Sequence, residues 1–453
     1  MKRIVGAVAL LALLGGCGVF GGGKVNKPKT AVLGERIPIL ATENGIDVDP
    51  GIADTPVVLP PATNNDNWTQ SGGNAAKSMG QLALAANPHE VWTASIEGSS
   101  PKARLNASPV IANGRLYVMD VMAVVHAFDA NTGARVWEVP LKATPKAADD
   151  GKKSKHSDDS SRALFGGGVS YDDGKLYATT GVGDVVALDA AGGKQLWRVH
   201  PGGPLRGAPT IANGNIYVVT QDNQLFALKQ DTGETVWTSA GTVETAGVFG
   251  AAAPAAAQGT VIAGFSSGEL NAYRYENGRV VWQDALTRTT ISTSVSTLSD
   301  IDADPVIDQG RVFAVGQGGR TVALELVTGQ RLWELNAGGG STPWIAGDWL
   351  FVMTDDARLL CLQASTGKLR WTAQFARWHN EAKQKRAIEW VGPVLAGGRL
   401  IVANSEGEVA NVDPNTGKSI GTLDVKGPVD LQPVVANGTL YILDTKGRMH
   451  AWR

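Results

Sequence analysis

The sequence predicts an all-β protein, an eight-bladed β-propeller of four-stranded antiparallel blades, and three observations predict it. The first is a repeat. From Pro109 the chain reads PVIANGRLYVMDVMAVVHAFDANTGARVW, and the same register recurs at Val169, Pro209, Pro254, Pro305, Pro343, Pro393 and Pro433. The second is the tryptophan that closes each copy, at positions 92, 137, 197, 237, 282, 333 and 371, with Gly421 in the eighth place and an average interval of 47 residues. A unit of that size forms one small sheet that cannot bury both of its faces, so the copies must stack around an axis. The third is a mismatch between the ends. The last copy stops at Trp452-Arg453, before its fourth strand, whereas PHEVWTASI (88–96) reads as a fourth strand with no first three before it. The N-terminal strand is therefore expected to complete the C-terminal blade, which removes two sheet edges open to aggregation.

Each copy justifies four strands in order. An apolar strand runs into Asn-Gly, Asp-Gly, Gln-Gly or Gly-Gly, the residues of a tight hairpin turn. A strand such as RLYV follows, then a second turn and a strand such as VVALD. A third turn of the form DANTG leads into the tryptophan strand. Asp, Asn and Thr suit that turn, and Gly133 tolerates a positive φ. The tryptophans are expected to pack between neighbouring blades with their N–H groups satisfied locally, so the most conspicuous motif is structural.

Composition bounds the function. The formal net charge is −2, and the one basic run, GKKSKH (151–156), is followed at once by SDDSS, which argues against nucleic acid as a partner. The N-terminus, MKRIVGAVALLALLGGCG, has basic residues, a short apolar run and then small residues, the layout of a secretory signal too short to span a bilayer. Leu14-Gly15-Gly16-Cys17 resembles a lipobox, in which Cys17 is acylated; the alternative is an ordinary signal peptide with an incidental cysteine. Residues 1–16 are thus expected to be the signal peptide, 17–65 a lipidated flexible tether rich in glycine and proline, and 66–453 the propeller. Gly18 follows Cys17 where an aspartate would, by resemblance to enteric bacteria, retain the protein at the inner membrane; the expected site is the periplasmic face of the outer membrane. Cys361, the only other cysteine, lies in the apolar run LLCLQ and reads as a buried structural thiol.

Repeats of the form LYVxxxxGxVxALDAxTGxxxW resemble the pyrroloquinoline-quinone type of propeller repeat, over nearly all of residues 66–453. Two groups share it: quinoprotein dehydrogenases and the BamB family, propeller lipoproteins of the outer-membrane β-barrel assembly machinery. Fold does not choose between them. The dehydrogenase resemblance implies adjacent cysteines under the quinone, a calcium ion and an aspartate base; this chain has no adjacent cysteines, no haem motif and no nucleophile elbow. DIDAD (300–304) begins like a calcium loop but continues with Pro305 and places Arg311 where a bidentate glutamate is needed, so it reads as an exposed acidic loop. No cofactor and no metal are expected.

The BamB resemblance implies a non-catalytic subunit that scaffolds the periplasmic domains of a BamA-like barrel subunit, with unfolded outer-membrane proteins as further clients; the alternative is a periplasmic quinone-dependent dehydrogenase or small-ligand binder. The loops entering the first strand of each blade place Asn106, Gly166, Arg206, Ala251, Asp302, Gly340, Trp390 and Asp430 on one face, around the channel mouth. Two of these loops, PLRGAP (204–209) and TLSDIDADP (297–305), resemble the family's LRG and LSDxD loops. That resemblance implies partner contacts by Leu205, Arg206, Asp300 and Asp302; the alternative is that Arg206 pairs internally with an acidic residue of the ring. Two insertions interrupt the repeat. Residues 142–163 read as a polar loop, and 375–390, with charges at helical spacing between Trp378 and Trp390, as a short rim helix and second contact.

Overall fold

The computed structural model describes residues 46–141, 166–243, 252–287 and 300–453. Cys17, the signal peptide, the 142–163 insertion and Ala251 lie outside them. Among the described residues, eight four-stranded antiparallel sheets form the blades. Blade 1 comprises Val110–Ala112, Arg115–Met119, Val124–Asp129 and Arg135–Pro140. Blades 2 to 8 begin with Val169–Asp172, Thr210–Ala212, Ala255–Ala257, Val306–Asp308, Trp344–Ala346, Trp390–Ala396 and Val434–Ala436. The fourth strand of blade 8 is Glu90–Ser95, paired with Arg448–Trp452, as the mismatched ends require.

The tryptophans join the blades. Trp137 Nε1 donates to Ala190 O of blade 2, Trp237 Nε1 to Tyr275 O of blade 4 and Trp371 Nε1 to Pro414 O of blade 7, at 2.8–3.2 Å. Each ring lies under the turn glycine of the next blade: a Cβ on Gly133 would fall 2.5 Å from Trp92, and one on Gly329 2.4 Å from Trp282. These glycines are required twice, by a φ near +70° and by the ring that fills the side-chain position. Gly421 stands in blade 7, and the blade that follows it is the one whose third turn is replaced by the chain ends. No turn glycine is there to receive an indole, so the one missing tryptophan coincides with the one missing turn. Inside each blade the tryptophan also meets an aromatic of the second strand, as in Tyr117–Trp137 at 5.9 Å and 41° and Phe351–Trp371 at 6.2 Å and 36°.

Every outer strand carries a register shift beside its tryptophan position, including the strand with Gly421. The extra residue, Val91, Val136 or Leu196 in the first copies, is exposed. A bulge there turns the indole inward and disrupts the free edge, which makes these edges poor templates for another strand.

The closing seam contains a titrating pair. His450 Nδ1 lies 2.6 Å from Glu90 Oε1 on the N-terminal strand, and His450 Nε2 lies 3.6 Å from Asp444 Oδ2. Burial opposes the imidazolium, but the carboxylates of Asp444 and Glu90 prevail and raise His450 above its ordinary value of 6.5. Its contribution is complete below the unfolded value and is lost as pH rises through the raised folded one. Thermal midpoints should therefore fall across that window for the native chain, and the His450→Gln variant should show a flatter profile there; parallel profiles would remove the seam pair from the account.

Residues 46–65, expected in the tether, differ from that expectation. Asp49 N donates to Leu369 O, Val57 N to Asn415 Oδ1, and Val57 is buried. The segment then circles the axis inside the ring. Asn65 bonds blade 8 at Asn437, Trp68 bonds blade 1 at Ile111, Thr69 blade 2 at Tyr171, and the Gln70 side chain blade 3 at Ile211. Ala75 bonds blade 4 at Ala256, Ala76 blade 5 at Ile307, Gly80 blade 6 through Trp344 Nε1, and Leu82 blade 7 at Leu395 and Gly397. These contacts take the eight blades in order, beside the first hairpin turns. The repeat contains little signal for this belt, because in seven of the eight blades the partner named above is a main-chain group that any sequence provides, Trp344 Nε1 being the exception.

Candidate functional site: the channel mouth

The inner strands begin at one face of the ring and end at the belt, so the channel is a blind funnel of about 550 Å³. Trp68, Ser71 and Gly72 of the belt line its inner end, and Asn106, Asp302, Gly340, Trp390 and Asp430 line its mouth. Five of the eight ring positions read from the sequence thus surround the opening. Arg206 joins them through Asn106, whose Nδ2 donates to Arg206 O, and Gly166 lies beside Leu205.

The four site residues read from the sequence are brought together. Arg206 Nη2 lies 3.0 Å from Asp300 Oδ2 and 3.2 Å from Asp302 Oδ1. The Arg206 side chain is 8% exposed, that of Asp300 1% and that of Asp302 10%. The internal pairing is therefore present. Leu205 is 2% exposed and packs with Tyr177, Ile211 and Phe226 rather than projecting as an apolar anchor. Its amide donates to Thr180 O and that of Arg206 to Val219 O, which pins the LRG loop across blades 2 and 3. Burial raises Asp302 to about 7, helped by the charge of Asp300 and opposed by Arg206.

DIDAD is not an exposed acidic loop. Asp304 is buried, accepts from Ser71 Oγ at 2.6 Å and Ala253 N at 2.7 Å, and faces the fully buried Lys77 of the belt at 4.0 Å. Burial lowers Lys77 to about 8 and raises Asp304, with the partner's charge opposing in each case. The alternation D-x-D-x-D sends these carboxylates to Arg206 and to the belt, cations of the chain itself. Among the described residues no group of three or more His, Cys, Asp or Glu is placed to hold a metal ion.

The 375–390 insertion is a hairpin, not a helix. Trp378–Asn380 pairs with Lys385–Ala387 around a single 3-10 turn, Glu381–Lys383. Asn380 Oδ1 caps Lys383 N, and Gln384 and Arg386 take positive φ values of 47° and 60°, which end the turn before a helix can propagate. The hairpin stands beside the funnel, where Phe375 meets Trp390 at 4.5 Å between centroids.

A family model described as outer membrane protein assembly factor BamB matches residues 78–160 and 121–373, more than half of the chain. The chain belongs to the BamB family. A model of the β-propeller domain of glucose, ethanol and alcohol dehydrogenases matches residues 336–446. The BamB outer membrane protein assembly factor of Salmonella typhimurium is 29% identical over 385 residues, 84% of this chain and 93% of that one. The crystal structure of BamB from Moraxella catarrhalis superposes with a TM-score of 0.66 at 19% identity, covering 81% of this chain and all of that one. A quinohemoprotein alcohol dehydrogenase from Comamonas testosteroni gives 0.64 at 16% identity, covering 86% of this chain and 81% of that one. These two likenesses show the fold alone.

The mouth does not fit the quinone of the dehydrogenases. Cys361 is fully buried within Arg358–Gln363, its thiol pushed far up by burial, and it pairs across the sheet with Phe351 and Trp371. The quinone, itself a polycarboxylate, would meet Asp302, Asp355, Glu389 and Asp430, which outnumber Arg104 and Arg377 in the same lining.

Proposed function

We propose that the chain is a non-catalytic, lipid-anchored subunit of the outer-membrane β-barrel assembly machinery, held at the periplasmic face through acylated Cys17, and that its mouth face docks the periplasmic domains of a BamA-like barrel subunit. The observation that supports it best is the Arg206 bridge. LRG and LSDID, the two loops that depart most from the repeat, are separated by 94 residues and are fastened together by one guanidinium at the mouth. Asp302 and the edge of Arg206 meet the partner in this reading, while Leu205 and Asp300 hold them in position. The bulged outer edges favour docking through the face over strand addition at the rim, for unfolded clients as for the barrel subunit.

A photo-crosslinker is best placed at Gln221, which is exposed beside Pro204 and bonds it through Gln221 N. In cells it should capture the barrel subunit, and the same label at exposed Val136 on an outer strand should not. Equal capture from both positions, or none from Gln221, overturns the assignment of the face.

A further inference from the structure

The funnel is asymmetric in chemistry. On the side of blades 6, 7, 8 and 1, Trp378, Ile388, Trp390, Leu431 and Leu105 give an apolar wall, while Glu389 and Asp430 are exposed between them. Neither carboxylate has an ion-pair partner within 4 Å among the described residues, although Arg104, near Asp430, and Arg377 also line the cavity, against the carboxylates of Asp302, Asp304, Asp355, Glu389 and Asp430. Asp430 is raised by burial and by the charge of Glu389, against Arg104. On the side of blade 5, Gln317 lines the cavity, its Oε1 buried behind the surface, and Asp300, 1% exposed and accepting from Gln317 N through its carbonyl, lies behind that lining. The two exposed carboxylates, Glu389 and Asp430, thus stand among aromatic and aliphatic side chains at the opening of a dead-end space.

We infer that this funnel receives an arginine-bearing loop of a protein partner, its guanidinium set against Glu389 and Asp430 and its stem and neighbouring side chains against Trp378 and Trp390. A guanidinium brings five donors and no acceptor, matching the carboxylate pair Glu389 and Asp430. Its flat face suits indole, and its aliphatic stem suits the apolar wall. A free inorganic cation would leave that wall wet. A volume of about 550 Å³ closed by the belt admits a few side chains and nothing that must pass through. The inference rests on the mouth face being the docking face, and it adds a second anchor across the funnel from the Arg206 bridge.

The test uses the chain from residue 46 and three probes followed by calorimetry: the capped peptide acetyl-Ala-Leu-Arg-Leu-Ala-amide, the same peptide with glutamate for arginine, and arginine amide. The arginine peptide should bind saturably and weaken with salt, and the double variant Glu389→Gln/Asp430→Asn should bind it about tenfold less tightly or worse. Both changes are at exposed positions, so unaltered thermal unfolding should accompany the loss. Equal binding of the glutamate peptide, equal binding of arginine amide, or no loss in the double variant overturns the proposal. Capture from Gln221 is read separately: peptide binding without capture leaves the funnel and removes the barrel subunit as partner, and capture without peptide binding removes only the funnel.

Discussion

Replacement of Arg206 by alanine is expected to destabilise the propeller by about 3–5 kcal/mol, the cost of leaving a buried carboxylate without its cation. Asp300 cannot reach water, and Asp302, already raised to about 7, loses the one charge that opposes its burial. The LRG and LSDID loops then lose the guanidinium that bonds both Asp300 and Asp302, which should loosen the one loop from the other. Chemical unfolding of the chain from residue 46 measures the first effect, and crosslinking from Gln221 in cells measures the second. Arg206→Ala combined with Asp300→Asn removes the stranded charge and should recover a large part of the stability without restoring capture. Full recovery of both would make the bridge a packing feature with no part in docking. Unchanged stability in the single variant would contradict the burial on which the argument stands.

The repeat made the blades legible because each strand and turn recurs with its own chemistry. A hairpin turn, a glycine turn of the DANTG kind and a tryptophan are local signals, and eight copies of the first with seven of each of the others fix both the count and the closure. The mouth was legible for a related reason: LRG and LSDID are where the repeat fails. What was not legible is what those residues touch. Spacing places Arg206 and Asp302 on one ring but not within 3.2 Å, and a D-x-D-x-D run in a loop gives no sign that Asp304 faces a buried lysine more than 200 residues earlier. The rim insertion was misread because charges at helical spacing also suit a hairpin, and the choice was made by positive φ at Gln384 and Arg386. The belt escaped because residues 66–87, counted with the propeller, precede the first repeat strand, and SGGN (71–74) carries no strand pattern. There Gly73 lies where a Cβ would be 2.5 Å from Met79, a tight internal turn and not a linker.

The belt also carries a large expected effect of its own. The chain begun at residue 88 retains every strand of all eight blades, Glu90–Ser95 included, and should still close. It loses Val57, Trp68 and Leu82, each nearly or fully buried, and burial of such side chains contributes roughly 1.5–3 kcal/mol apiece. It also leaves Asp304 in the wall without Lys77 or Ser71. A loss of at least about 5 kcal/mol follows, and at about 1 °C per kcal/mol for a chain of this size the thermal midpoint should fall by on the order of 5 °C relative to the chain begun at 46. Adding a synthetic 62–87 peptide in trans should raise the midpoint again, in a concentration-dependent way, whereas the same peptide with Lys77→Met should restore less because Asp304 stays uncompensated. Equal midpoints for the two chains would show that the ring holds itself without its belt, and the blind funnel would then lack a structural reason to be blind.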